Sequence, residues 1–252
     1  MTETSGTLDV AGTGLAWRRI SGRAPTVVWL GGFHSDMSGT KAQALADWAA
    51  ARGQAYLRFD YFGHGESGGA FVEGTISRWR GDVLAVLDCL TEGPLLLVGS
   101  SMGGWLACLA VLARPERIAG LVLIAPAADF TEKLMRPSLP PEALAVLARG
   151  DVWTRPSQYD GEGYAIKGAL FEDGAQWSIL PGPVEIAVPV RILQGGADPD
   201  VPWRHALALA TALAGDDLVF SLIKDGDHRL SRPADIARLF SAIEELSGSG
   251  QR

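Results

Sequence analysis

Leu95 to Trp105 reads LLLVGSSMGGW: an aliphatic run, two adjacent serines, two glycines and the start of a second apolar run, WLACLAVLA at 105–113. An aliphatic run that gives way to helical patterning across a tight turn marks a strand feeding a helix. Only Ser101 satisfies G-x-S-x-G, between Gly99 and Gly103; centring the motif on Ser100 would require glycine at Val98 and Met102. The spacing has a physical cause. A nucleophile on a sharp strand-to-helix turn takes a strained backbone conformation, and glycines two positions away let strand and helix approach without a Cβ clash. Ser101 is the candidate nucleophile, and Ser100 reads as a turn or capping serine.

Working outward, short apolar runs recur at TVVWL 26–30, AYLRF 55–59, LVLIA 121–125, VRILQ 190–194 and LVFSLI 218–223. Strands that are apolar at consecutive positions are covered on both faces, as in a parallel sheet. The segments TKAQALADWAAARG at 40–53 and RWRGDVLAVLDCL at 78–90 show helical spacing, the first ending on Gly53 as a C-cap. This alternation predicts an α/β fold, a mostly parallel sheet flanked by helices. The N-terminal LDVAGTGLAWRRISG predicts an antiparallel hairpin at the sheet edge.

One connection breaks the rhythm. About sixty residues separate Ala127 from Ala187, where a βα or αβ loop takes roughly 2–6. They carry Pro137, Pro140, Pro141, Pro156, Pro181 and Pro183 together with Trp153, Tyr159, Tyr164, Phe171 and Trp177, large apolar surfaces that need burial. The expected division is a core of 1–127 and 186–252 with an inserted lid at 128–185, helical at PEALAVLARG 141–150. Trp153 and Trp177 are the lid residues expected to line a substrate pocket.

A chain of 252 residues, 47% hydrophobic, suffices for one large core. Lys plus Arg number 22 against 29 Asp plus Glu, a net charge of -7 that repels phosphate backbones, so nucleic acid is not an expected partner. Cys89 and Cys108 lie in apolar helical patterns without C-x-x-C spacing and read as small buried hydrophobes, with no disulfide or metal site implied. MTETSGTLDV has neither a basic n-region nor an apolar h-region, and no apolar run approaches the roughly 18 residues of a membrane span. These features predict a soluble cytoplasmic protein.

A serine hydroxyl needs a base, and histidine titrates near working pH. His34, His64 and His205 read as loop or surface histidines. His228 follows the last strand and precedes the helical PADIARLFSAIEELSG; where a serine sits on such an elbow, acid and then histidine follow it along the chain, each after a strand. The acid must therefore lie between Ser101 and His228. LQGGADPDVPW places Asp198 in a G-x-x-D-x-x-V-P pattern, with Asp200 and Asp129 as alternatives. Asp225 and Asp227 read as turn formers. Charge developing on a carbonyl oxygen calls for two N–H donors: the Met102 backbone after the nucleophile, and the Phe33 backbone in WLGGFHSD after the first parallel strand. FDYFGHGESGG at 59–69 lacks the Lys-Ser/Thr ending of a phosphate loop and reads as a structural turn held by Asp60.

With GTKA at 39–42, RFDYFG at 58–63, RWRGDV at 78–83, VGSSMGGWL at 98–106, ARPE at 113–116, VPW at 201–203 and DHRL at 227–230, the chain resembles the α/β-hydrolase superfamily. Within it, the likeness is greatest to the branch of mitochondrial palmitoyl-protein thioesterases that also act on acyl-glucuronides. The resemblance implies a triad of Ser101, Asp198 and His228 and an oxyanion loop at Phe33. It departs in the missing presequence, which suggests a bacterial relative, and after Asp129, where only PSQYDGEGY at 156–164 matches. The expected function is hydrolysis of small-molecule or acyl-protein esters or thioesters through an acyl-enzyme, with no metal or organic cofactor. A triad-retaining receptor with little turnover, or a perhydrolase or acyltransferase, is the alternative.

Overall fold

The computed structural model describes residues 2–155 and 163–248. The chain opens with the hairpin β1 (Thr4–Val10) and β2 (Thr13–Ile20), followed by β3 (Arg23–Leu30), α1 (Thr40–Arg52), β4 (Gln54–Phe59) and α2 (Ile76–Leu90). β5 (Leu95–Ser100), α3 (Met102–Ala113) and β6 (Ile118–Ile124) come next. The long connection holds a π-helical turn (Thr131–Met135), α4 (Arg136–Ser138), α5 (Pro141–Ala148), β7 (Trp153–Arg155), β8 (Tyr164–Ile166) and α6 (Gly168–Gln176). β9 (Val190–Gly195), α7 (Trp203–Ala212), β10 (Leu218–Ile223) and α8 (Pro233–Gly248) complete the described residues.

Among the described residues, eight strands form one sheet in the order β1-β2-β4-β3-β5-β6-β9-β10. β1 and β2 are antiparallel additions at one edge, and all pairings from β4 to β10 are parallel. Successive residues of a strand face opposite sides, which is why the aliphatic runs are continuous. Val27, Leu96 and Val122 pack against Leu45 and Trp48 of α1 and Leu239 and Ile243 of α8. Val28, Leu97 and Leu121 pack on the other side with Trp79 and Val83 of α2 and Trp105 and Leu106 of α3. Helix α3 is buried from Met102 to Val111, and each aliphatic side chain so buried contributes about 1.5–3 kcal/mol. Gly53 ends α1 with φ 66°, its N–H donating to the Ala49 carbonyl.

Because β3, β5, β6, β9 and β10 run parallel, the loops leaving their carboxyl ends gather at one edge, the position where open α/β sheets place ligands. The long connection leaves from that edge and joins the same core, through Phe130, Met135, Leu147, Leu170 and Phe171. Its two ends are stapled by Asp129, whose carboxylate accepts the Ile179 and Leu180 N–H groups at 2.9 Å and the Ser178 hydroxyl at 2.5 Å. That use explains why Asp129 does not reach His228. Helix α5 coincides with the expected helical piece. Pro156, Tyr159 and all but the last two residues of PSQYDGEGY lie outside the described residues. Cys108 is buried as expected, whereas Cys89 is exposed, since it lies near the end of α2 on the side away from the sheet.

Candidate active site

Ser101 occupies the turn between β5 and α3 with φ 54° and ψ -119°, a left-handed conformation that costs a non-glycine residue of order 1–3 kcal/mol. Its neighbours explain how the turn closes. A Cβ on Gly99 would lie 2.4 Å from the Gly103 carbonyl oxygen, and one on Gly103 would lie 2.1 Å from that of Leu30. Both positions therefore exclude any side chain. Gly103→Ala is expected to cost about 1–3 kcal/mol of stability, measured as a fall of roughly 2–10 °C in Tm.

The turn is pinned by Ser101 N–H to the Ile124 carbonyl at 2.9 Å and by Ala127 N–H to the Ser101 carbonyl at 3.1 Å. Although Ser101 is the N-cap of α3, its side chain makes no capping bond. The hydroxyl instead meets His228, with Oγ 3.2 Å from Nε2. The other ring nitrogen, Nδ1, lies 2.8 Å from Oδ2 of Asp198. An acidic oxygen at Nδ1 fixes the proton there and leaves Nε2 as the acceptor for the serine hydroxyl. Asp198 is buried, and Gln194 Nε2 donates to its Oδ2 at 3.3 Å, while Asp200 and Val201 N–H donate to Oδ1 at 2.9 Å. Sequence order and strand ends thus brought together three residues spread over 127 positions.

Asp200 contributes a backbone donor to Asp198, and Asp227 caps its own turn by accepting Leu230 N–H at 2.9 Å. Asp225 pairs with Arg232 at 2.7 Å. Among the described residues, Asp198, Asp200 and His228 are a group with the side chains to hold a metal ion, their ligand atoms lying within 4.8 Å of one another. Asp198 already has four hydrogen-bond partners, an arrangement that suits an acid orienting an imidazole.

Two loops border the serine. A Cβ on Gly32 would lie 3.4 Å from Ser101 Cβ, so the loop after β3 passes in van der Waals contact with the turn. The Phe33 ring is enclosed by Phe71, Trp79, Phe130 and Tyr164, with centroids 4.9–5.7 Å away. Among the described residues, neither Phe33 nor Met102 gives its backbone N–H to a protein acceptor, and both residues line the cleft over Ser101. Beneath this loop lies a feature the sequence reading missed. His64 is buried, its Nδ1 3.0 Å from the Phe62 carbonyl and its Nε2 accepting His34 N–H at 3.3 Å. Burial pushes its pKa down to about 4, which keeps the ring neutral and able to accept. Asp60 adds to this support, accepting Met37 N–H at 2.7 Å and Glu66 N–H at 2.8 Å. His205 is also tied to backbone, with Nε2 2.7 Å from the Ala128 carbonyl.

The cleft holds about 500 Å³, a volume suited to a small ligand. Ser101 and His228 line it, together with the apolar Phe130, Leu134, Met135 and Tyr164 and the polar Lys41, Arg229 and Ser231. Trp153 and Trp177 do not line it, which corrects the expectation for both. Trp177 donates its indole N–H to Ser77 Oγ at 2.7 Å beneath the Arg80 guanidinium, so it fastens α6 to α2. Trp153 packs half-buried against the core from β7. Of the cations in 128–185, Arg155 borders the cleft, whereas Arg136 pairs with Glu132 at 3.0 Å, Arg149 with Asp151 at 3.2 Å, Lys167 with Glu73, and Lys133 is exposed.

Residues 23–158, over half of the chain, match the family described as serine aminopeptidase, S33. The mouse mitochondrial palmitoyl-protein thioesterase ABHD10 is 40% identical over 92% of this chain and 78% of its own length. A solved chain from Agrobacterium vitis S4 named as a hydrolase superposes with a TM-score of 0.91 at 44% identity, covering 98% of both chains. The mouse α/β hydrolase domain-containing protein 10 superposes at 0.88 with 38% identity, over 96% of this chain and 98% of that one. The cytoplasmic expectation draws no support from relatives named mitochondrial, while among the described residues no helix is long and apolar enough to cross a membrane. On this breadth of identity, together with the sheet and its elbow, the chain belongs to the α/β-hydrolase enzymes of the serine aminopeptidase S33 family.

Proposed function

We propose that this hydrolase cleaves acyl thioesters and carboxylic esters through an acyl-enzyme. Ser101 Oγ attacks the carbonyl carbon as His228 Nε2 takes its proton, and Asp198 stabilises the imidazolium that forms. The Phe33 and Met102 N–H groups hold the oxyanion. His228 returns the proton to the leaving thiolate or alkoxide, then deprotonates the water that releases the acid. No step calls on a metal or cofactor. The carrying observation is the hydrogen-bonded line from Ser101 through His228 to Asp198, with Ser101 and His228 lining a cleft shared by Phe130, Leu134, Met135 and Tyr164. The thioester class draws on the mouse relative, named a palmitoyl-protein thioesterase.

The segment 128–185 is the lid in this scheme, and its wall of Phe130, Leu134, Met135 and Tyr164 takes the acyl chain. The test is turnover of acyl thioesters beside p-nitrophenyl esters of graded chain length. Many turnovers per enzyme are expected; one equivalent of acylation at Ser101 without release would reduce the protein to a receptor. Phe130→Ala and Leu134→Ala are expected to lower kcat/KM for long chains against short ones. Each methylene that loses its contact is worth about 0.8 kcal/mol, so selectivity falls roughly tenfold for every two uncovered. An unchanged ratio between short and long esters would remove these residues from the acyl pocket.

A further inference from the structure

We infer that Lys41 is a positioning residue that ties the His228 loop to helix α1 and holds the imidazole in line with Ser101. The role rests on His228 as the base. Lys41 lies in the first turn of α1, and its Nζ donates to the Arg229 carbonyl at 2.5 Å and to Ser231 Oγ at 3.4 Å. Arg229 is the residue after His228, so a single ammonium spans 188 positions of sequence to reach the backbone beside the base.

Nothing within α1 accounts for a cation at this point. A helix N-terminus disfavours positive charge, and the first turn of α1 carries no acidic residue. Helix α1 is in turn a rigid post, packed on the sheet through Leu45 and Trp48 and joined to α8 by Trp48 Nε1 and Arg52, both on Glu244, at 3.2 and 2.8 Å. The loop it grips turns through Leu230 with φ 45°, a conformation a branched side chain rarely adopts. A tether next to the catalytic base therefore supports the part of the loop whose backbone is least favourable.

The charges around the ammonium are Asp227 and Arg229 from the His228 loop and Asp235 from α8, with Arg238 of α8 and Asp36 ahead of α1 bordering the same space. Asp235 is itself paired with Arg232 and Arg238. Burial, assisted by Arg229, outweighs Asp227 and Asp235 and pushes the Lys41 pKa down to about 8. Below that pH the charged donor grips the carbonyl; above it the neutral amine holds it more weakly. Activity should accordingly decline on the alkaline side, where a triad with a neutral histidine would otherwise stay level.

The experiment compares wild type, K41M and K41R with S101A on a short p-nitrophenyl ester, recording kcat, KM, Tm and the pH profile. K41M is expected to lose about 10- to 100-fold in kcat with KM within about threefold, as misplacement of a reacting group does, and with little change in Tm. Wild-type kcat should fall above about pH 8; K41M should lack that limb, and K41R should recover most of the activity and carry the limb beyond the measured range, since guanidinium does not deprotonate there. K41M within about twofold of wild type, a loss confined to KM, or a wild-type profile level from about pH 7 to 9.5 would each overturn the role. If K41M does not fold, wild type against K41R decides: a limb at about pH 8 that persists in K41R does not belong to Lys41 and overturns the role. S101A that still hydrolyses the ester refutes the serine mechanism itself, whereas an inactive S101A beside an unaffected K41M removes Lys41 alone.

Discussion

Ser101→Ala is expected to abolish ester turnover and covalent capture of a fluorophosphonate, with kcat falling by about 10⁶-fold, the loss that follows removal of a serine nucleophile from a cooperating triad. Ser100→Ala should leave labelling largely intact. The contrast is sharp because the two hydroxyls are adjacent in sequence and only one is 3.2 Å from His228 Nε2. Ser100 ends β5 and is buried beside Ile124, whereas Ser101 carries the φ of 54° that lifts its side chain out of the strand. The residual rate of the Ser101 variant reports what water attack gains from the cleft and the oxyanion donors alone. Undiminished labelling of Ser101→Ala would move the nucleophile elsewhere and dismantle the proposed mechanism.

The parts of this architecture that depend on local pattern were legible from the chain. Continuous aliphatic runs announced strands buried on both faces, Gly53 announced the end of α1, and G-x-S-x-G announced the elbow, because each is a steric demand met within a few residues. The hydrogen-bonded line of Ser101, His228 and Asp198 was reachable because strand ends in a parallel sheet converge, so position selects Asp198 and His228 as its members. What stayed hidden depends on three-dimensional neighbours far apart in sequence. Trp153 and Trp177 have the composition of a pocket wall, but composition says only that an aromatic ring must be covered; here Trp177 is covered by Arg80 and bonded to Ser77, about a hundred residues earlier. His64 looked like a turn residue because its glycines are local, while the rings of Phe71 and Trp79 that bury it come from later in the chain. The partner of Lys41 lies on the loop of the last strand, beyond any periodicity. Tyr164 and Leu134, which line the cleft, sit in a connection whose π-helical turn has no simple sequence signature.

Asp198→Asn is expected to lower kcat by on the order of 10⁴-fold, against less than about tenfold for Asp200→Asn, whose backbone N–H to Asp198 is retained. The cause lies in the tautomer. The Asp198 carboxylate accepts from Nδ1 at 2.8 Å while four donors, counting His228, hold its two oxygens in place. An asparagine keeps the shape but can turn its amide N–H toward Nδ1, which moves the ring proton to Nε2. A protonated Nε2 cannot take the serine proton, and the imidazolium that would form has lost its counter-charge. Asp200 gives Asp198 its backbone N–H, which asparagine retains, so its variant keeps that support of Asp198. Measured as kcat/KM on one ester, with active sites counted by fluorophosphonate, the two variants should differ by about three orders of magnitude, the gap between the two losses. Asp198→Asn should still label slowly, since Ser101 and the oxyanion donors remain in place. If Asp200→Asn proves the more damaging, its carboxylate is the one that orients His228 during turnover, and the loop after β9 must rearrange from the geometry in which Asp198 holds the ring.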